Sequence, residues 1–255
     1  MSPTQITEFK KTSFSAKISS GHSITHDVYE RGAGKVVVII QELPGIGQET
    51  LQLADRFVAR GYKVVLPHLF GPIGKTSTTA NFVRVLCMRK EFRIFSANKS
   101  SPVIDWLKAL CQKFKHENQV PGVATIGMCL TGNFAIALMA DDSVLAGFAS
   151  QPSLPLGKQT QLHLDAEELK TIKKRLEELG PMHCGRFEED NYCTAEKFEM
   201  YERVFNSEGV ERMKLHTLPG KAHSILTLDF VDEDGHPSQE ALETVIKYFD
   251  QSLAG

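Results

Sequence analysis

The stretch Val123-Ala124-Thr125-Ile126-Gly127-Met128-Cys129-Leu130-Thr131-Gly132-Asn133-Phe134 constrains this chain more than any other. Its apolar start reads as a buried strand. A Gly-x-Cys-x-Thr-Gly turn follows, then an apolar helix from Phe134 to Ala140. A strand that turns this sharply into a helix holds its corner residue out at the top of a sheet, with backbone N–H groups beside it. The corner residue here is a thiol. The stretch therefore reads as a nucleophile elbow with sulfur in place of the usual serine oxygen. The blander alternative is a small buried cysteine at a strand end, beside a glycine that lets helix and strand pack closely.

The flanking sequence supplies the sheet that such a corner needs. Residues 12–20 and 24–30 read as an antiparallel pair at a sheet edge, split by Ser19-Ser20-Gly21-His22. Lys35 to Gln41 contains Val-Val-Val-Ile-Ile, a continuous β-branched run, the pattern of a strand buried on both faces. It ends at Glu42-Leu43-Pro44-Gly45. A helix over 49–60, stopped by Gly61, and a strand over 62–67 complete a β-α-β unit with parallel pairing. Helices are expected over 81–95, from Ser101-Pro102 onward, and over 165–179, 194–205 and 238–253. Strands are expected over 144–149, 182–186 and 212–217. This alternation predicts a doubly wound α/β fold, a mostly parallel sheet with helices on both faces, as a single domain over residues 1–255.

Composition excludes several functions. The formal net charge is −2, so nothing favours nucleic acid or a membrane surface as partner. No apolar run reaches the ~18–20 residues of a membrane span. Met1 to Lys11 is polar and lacks the apolar core of a secretory signal. Cys87, Cys111, Cys129, Cys184 and Cys193 form neither an even disulfide set nor a Cys-x-x-Cys pair. A reducing, cytoplasmic setting without bound metal is the expectation.

In an open parallel sheet, ligands bind beyond the carboxyl ends of the strands. Collecting strand-end residues brings together Cys129, Asp190 and His223, a nucleophile, an acid and a base in that chain order. A thiol needs a base to become the attacking thiolate, and His223 would take its proton. Asp190 would fix the imidazole tautomer and stabilise the imidazolium. Backbone N–H groups of Leu130, after the nucleophile, and Leu43, after the early strand, are placed to receive an oxyanion. Glu42 directly follows an apolar strand, where a carboxylate without partners is costly. It reads either as an acceptor for backbone donors or as a group that handles the thiol proton.

These residues are similar to those of the dienelactone hydrolase family, carboxymethylenebutenolidase-like members of the α/β-hydrolase superfamily. The marks are Gln41-Glu42-Leu43-Pro44-Gly45, Gly127-Met128-Cys129-Leu130-Thr131-Gly132, Asp190 after two glutamates, and Gly220-Lys221-Ala222-His223-Ser224. The resemblance runs from about Thr25 to the last helix. It implies Cys129 as nucleophile, His223 as base, Asp190 as its orienter, and Glu42 as the carboxylate that meets the resting thiol. It implies hydrolysis of an enol-lactone or activated ester through a thioester, with no metal or organic cofactor. Two departures stand out. Thr131 replaces a glycine of the family's Gly-x-Cys-x-Gly-Gly elbow, and no arginine follows His223 to hold a substrate carboxylate. Arg89 or Lys90, with Ser224, are the substrate-binding candidates that remain, and a more apolar ester or lactone is expected. A small-molecule substrate and a monomer or homodimer follow. The same residues also fit a non-hydrolytic ligand-binding protein or a thiol acyltransferase.

Overall fold

Five consecutive β-branched residues within Lys35–Ile40 place a strand where it is covered on both sides, and that strand lies near the middle of the sheet. A computed structural model of the chain describes residues 4–74, 77, 101–153, 160–162 and 164–254. The expected helix over 81–95, with Arg89 and Lys90, lies outside the described residues. Eight strands are described: β1 (Lys10–Lys17), β2 (Ser23–Arg31), β3 (Lys35–Ile40), β4 (Tyr62–His68), β5 (Val123–Met128), β6 (Val144–Ser150), β7 (Met182–Phe187) and β8 (Met213–Leu218). They form one sheet in the order β1-β2-β4-β3-β5-β6-β7-β8. Strands β4, β3, β5, β6, β7 and β8 run parallel. The β1–β2 hairpin adds antiparallel to β4 at one edge, as the N-terminal alternation predicts.

The described helices are α1 (Gln48–Ala59), α2 (Pro102–Glu117), α3 (Gly132–Leu138), α4 (Ala166–Leu179), α5 (Ala195–Phe205) and α6 (Pro237–Ser252). Side-chain alternation along β3 divides the core between the two sheet faces. Val36, Val38 and Ile40 pack with Trp106 and Phe114 of α2, Phe134 of α3, Ile172 of α4 and Phe205 of α5. Val37 and Ile39 pack with Phe57 of α1 and Phe249 of α6. Both faces of the strand are thus dry, which is why it carries no polar alternation. Each fully buried side chain of this size contributes about 1.5–3 kcal/mol of apolar burial. Helix boundaries follow local signals. Gly61 takes the positive φ, +78°, just past α1. Ser101 occupies the N-cap position and Pro102 the first turn of α2. Asp165 and Glu168 cap one another's backbone N–H groups at the start of α4.

Candidate active site

The register of the sheet decides what can meet at its carboxyl edge. Ile40 of β3 lies beside Gly127 of β5, and Met128 beside Ser150 of β6. Ser150 lies beside Gly185 of β7, and Phe187 beside Leu218 of β8. The chain therefore leaves the sheet at Gln41, Cys129, Gln151, Glu188 and Pro219 along a single edge.

Cys129 has φ +56°, the left-handed conformation of a sharp elbow. For a residue with a side chain this costs on the order of 1–3 kcal/mol, so the surroundings must impose it. Two features do so. A Cβ on Gly127 would sit 2.0 Å from the Thr131 carbonyl oxygen, so only glycine lets the turn fold back on its strand. Thr131, fully buried, then fastens the corner. Its Oγ1 accepts from the Met128 N–H at 2.9 Å. It also lies 3.2 Å from the Ile40 carbonyl, 3.1 Å from that of Gln41 and 3.0 Å from that of Met128, any one of which its single proton can serve. Threonine at this family glycine position thus ties the elbow to the end of the neighbouring strand. The elbow enters α3 through one 3₁₀ turn, Cys129–Thr131, so the helix begins at Gly132, two residues ahead of the sequence expectation.

Asp190, His223 and Cys129 lie together at this edge. His223 Nδ1 lies 2.7 Å from Asp190 Oδ2. The other oxygen, Asp190 Oδ1, accepts from the N–H groups of Tyr192 at 2.7 Å and Cys193 at 3.1 Å. The acid is buried, so its orientation is fixed from three directions. Burial pulls the His223 pKa down, but hydrogen bonds to Asp190 and to Cys129 and the charges of both groups outweigh it, raising the pKa to about 10. Both neighbours thus favour the doubly protonated ring. The His223 loop is itself braced: Asp229 Oδ2 accepts from the N–H of His223 at 2.9 Å and of Ser224 at 2.8 Å. The exposed ring of Tyr192 stands edge-on to the imidazole, with 5.1 Å between centroids.

Glu42 is 2% exposed. Its Oε2 accepts from Ser224 Oγ at 3.0 Å and its Oε1 from Thr227 Oγ1. Its partners are thus hydroxyls of the His223 loop rather than the resting thiol. Burial raises its pKa, against the pull of Thr227, Ser224 and His223. Ser224, expected at the substrate, is buried with its hydroxyl committed to Glu42. Leu43 and Leu130 stand just past the adjacent ends of β3 and β5.

A model of the dienelactone hydrolase family matches residues 27–253. The chain belongs to the dienelactone hydrolase family. Its enzyme class is that of the carboxylic-ester hydrolases. No curated protein sequence matches it. Among solved structures it is similar to a putative dienelactone hydrolase from Klebsiella pneumoniae. That likeness is 14% identical, covers 95% of this chain and 99% of that one, and has a TM-score of 0.60. A dienelactone hydrolase-like promiscuous phosphotriesterase from metagenomic libraries is 12% identical over 96% of this chain and 99% of that one, with a TM-score of 0.63. An esterase from Pyrococcus furiosus is 13% identical over 96% and 94%, with a TM-score of 0.57. At these identities the likeness establishes a shared α/β-hydrolase fold. Among the described residues, no helix is long and apolar enough to cross a membrane, and no cluster of three or more potential ligands is placed to hold a metal ion.

Residues that sequence reading did not single out complete the site. Ser153 Oγ lies 3.0 Å from Cys129 Sγ. Thr227 and Asp229 hold the Glu42 carboxylate and the His223 backbone. A buried amide, Gln41, donates to the Phe70 carbonyl and accepts from the Leu69 N–H, both at 2.9 Å, fixing the loop after β4. The family's glutamine-glutamate pair at the end of β3 marked Gln41, but nothing in the sequence gave its partners.

Proposed function

We propose that this chain hydrolyses small esters or lactones through a thioester on Cys129, with His223 and Asp190 completing the triad. The observation that carries the reading is the meeting of acid, base and elbow at one sheet edge. His223 Nδ1 lies 2.7 Å from buried Asp190, and Cys129, on an elbow of φ +56°, is among the groups that raise the imidazole pKa. An imidazolium beside a thiol is the companion of a thiolate, the form that attacks.

In acylation the sulfur electron pair adds to the substrate carbonyl carbon, and the carbonyl oxygen takes the charge. The N–H groups of Leu43 and Leu130 receive that oxyanion. As the C–S bond is kept and the C–O bond breaks, the departing alkoxide takes the proton from His223. Neutral His223 then accepts a proton from water as the water oxygen attacks the thioester. The C–S bond breaks, the acid leaves, and the thiolate–imidazolium pair is restored. Glu42, with both oxygens held by the His223 loop, keeps β3 and that loop together and biases the charge near the imidazole. The segment after His223 is Ser224-Ile225-Leu226-Thr227-Leu228, and Ile225 and Leu226 are buried. No guanidinium is offered there, which supports an uncharged ester or lactone over a carboxylated one.

The test is hydrolysis of p-nitrophenyl acetate by the wild type and by Cys129→Ala. A loss of about 10³-fold or more in kcat is expected, as for other nucleophile deletions. Turnover unchanged by the substitution would overturn the cysteine mechanism. Release of free acid in water, without an added alcohol or thiol acceptor, separates hydrolysis from acyl transfer.

A further inference from the structure

The thiol has a second neighbour besides His223. Ser153, on the loop after β6, is 3% exposed and places its Oγ 3.0 Å from Cys129 Sγ. The same residue's backbone N–H donates to the Cys129 carbonyl at 3.3 Å. The loop is delivered there by an unusual backbone. Gln151 has φ +35° and is fully buried, and its N–H donates to the Gly185 carbonyl of β7 at 2.7 Å. Pro152 then crosses directly over the start of α3, where a Cβ on Gly132 would meet it at 3.0 Å. Four independent constraints thus set one hydroxyl against one sulfur. A serine this well buried would otherwise give its hydroxyl proton to a carbonyl.

We infer that Ser153 is a catalytic residue that donates its hydroxyl proton to the Cys129 sulfur when that sulfur is charged, both as the attacking thiolate forms and again as it departs from the thioester. The inference rests on the cysteine mechanism proposed above. In the neutral thiol either group can donate, but a charged sulfur can only accept, so Ser153 is the donor once the thiolate forms. The hydroxyls of Ser224 and Thr227 are bonded to Glu42, and among the described residues Ser153 is the hydroxyl seen against the sulfur. During deacylation, water adds to the thioester carbon and the C–S electron pair returns to sulfur. That sulfur gains charge as it leaves, and Ser153 is already aligned to receive it. A thioester sulfur is a poor acceptor, so the same bond contributes little to the acyl-enzyme. The interaction therefore favours both ends of the deacylation step unequally, in the direction that speeds it.

The experiment compares wild type, Ser153→Ala, Ser153→Thr and Cys129→Ala. Iodoacetamide labelling of Cys129 is followed by mass spectrometry from pH 5 to 9, alongside the burst and steady-state phases of p-nitrophenyl acetate hydrolysis. In Ser153→Ala the pH midpoint of labelling is expected to rise by about one unit, the tenfold change that loss of one charge-assisted hydrogen bond corresponds to. The steady-state rate is expected to fall about tenfold with the burst amplitude kept, because breakdown of the thioester slows. Ser153→Thr, which keeps the hydroxyl, is expected to return the midpoint toward wild type. If Ser153→Ala does not fold, Ser153→Gly removes the hydroxyl without adding volume and is read in the same way. An unchanged midpoint overturns the proposal. A lowered midpoint also overturns it, since the hydroxyl would then accept from the thiol. Cys129→Ala separates the two readings. If it is inactive while Ser153→Ala behaves as wild type, only the Ser153 role fails; if it stays active, the cysteine mechanism and this proposal fall together.

Discussion

Thr131 shows how a single side chain can replace the packing of a glycine by chemistry. A glycine elbow approaches its neighbour strand through absence of bulk. Here a hydroxyl satisfies the Met128 N–H and one of three strand-end carbonyls. Thr131→Val keeps the shape and deletes both bonds, leaving a buried N–H without its partner. Unfolding in urea is expected to show a loss of about 1–3 kcal/mol, with esterase activity falling alongside as the corner loosens. Glu42 poses the opposite problem, a carboxyl group where water cannot reach. Its pKa is raised, so the folded chain keeps a proton that the unfolded chain has released. Stability from this group is therefore lost as pH climbs above the ordinary carboxyl value of 4.5. Glu42→Gln removes that slope while offering Ser224 and Thr227 a similar shape. Its melting temperature at pH 8 is expected to equal or exceed that of the wild type, with a shallower decline from pH 5 to 8. A variant that melts well below the wild type at pH 8 would show that the ionised carboxylate stabilises the fold.

At the scale of elements, the strand–elbow–helix unit depends on one missing side chain. Gly127→Ala places a methyl 2.0 Å from the Thr131 carbonyl and 3.0 Å from the Ala135 side chain, so α3 must swing away from β5. Cooperative unfolding at markedly lower denaturant and loss of activity are the expected outcomes, read by circular dichroism and ester hydrolysis. Most elements here were legible because their patterns are strong. The β-branched run of β3, the Gly61 stop and the Ser101-Pro102 start each state their structure locally. The elbow helix was read two residues late because Gly132 and Asn133 look like turn residues in isolation. Only the packing of Gly127 against Thr131 shows that the coil is already formed there. That Cys129, Asp190 and His223 lie near one another was legible because strand ends in a parallel sheet share one edge. Ser153 was not, because its position depends on the positive φ of Gln151, a conformation that glutamine does not announce. The partners of Glu42 were hidden for a different reason. They lie 182 and 185 residues away, at a distance where spacing carries no signal.

For the molecule as a whole, proton linkage predicts a decline in stability on the alkaline side. The folded His223 holds its proton to about pH 10, against 6.5 in the unfolded chain. Its contribution is fully present below pH 6.5 and is lost between 6.5 and 10. Urea midpoints measured across that range are expected to fall, and the fall is expected to flatten in His223→Gln. A wild-type midpoint that stays level from pH 6.5 to 10 would show that the ion pair does not couple to folding. The register that gathers Glu42, Cys129, Asp190 and His223 on one edge has a temporal side as well. The sulfur sits past the fifth of eight strands, whereas the imidazole arrives only after the eighth. Closing Glu42 onto Ser224 joins parts of the chain 182 residues apart, a contact of high entropic cost that forms late in folding. Until then the sulfur has no imidazole beside it. The proposed nucleophile and its base are thus brought together by the same event that completes the fold.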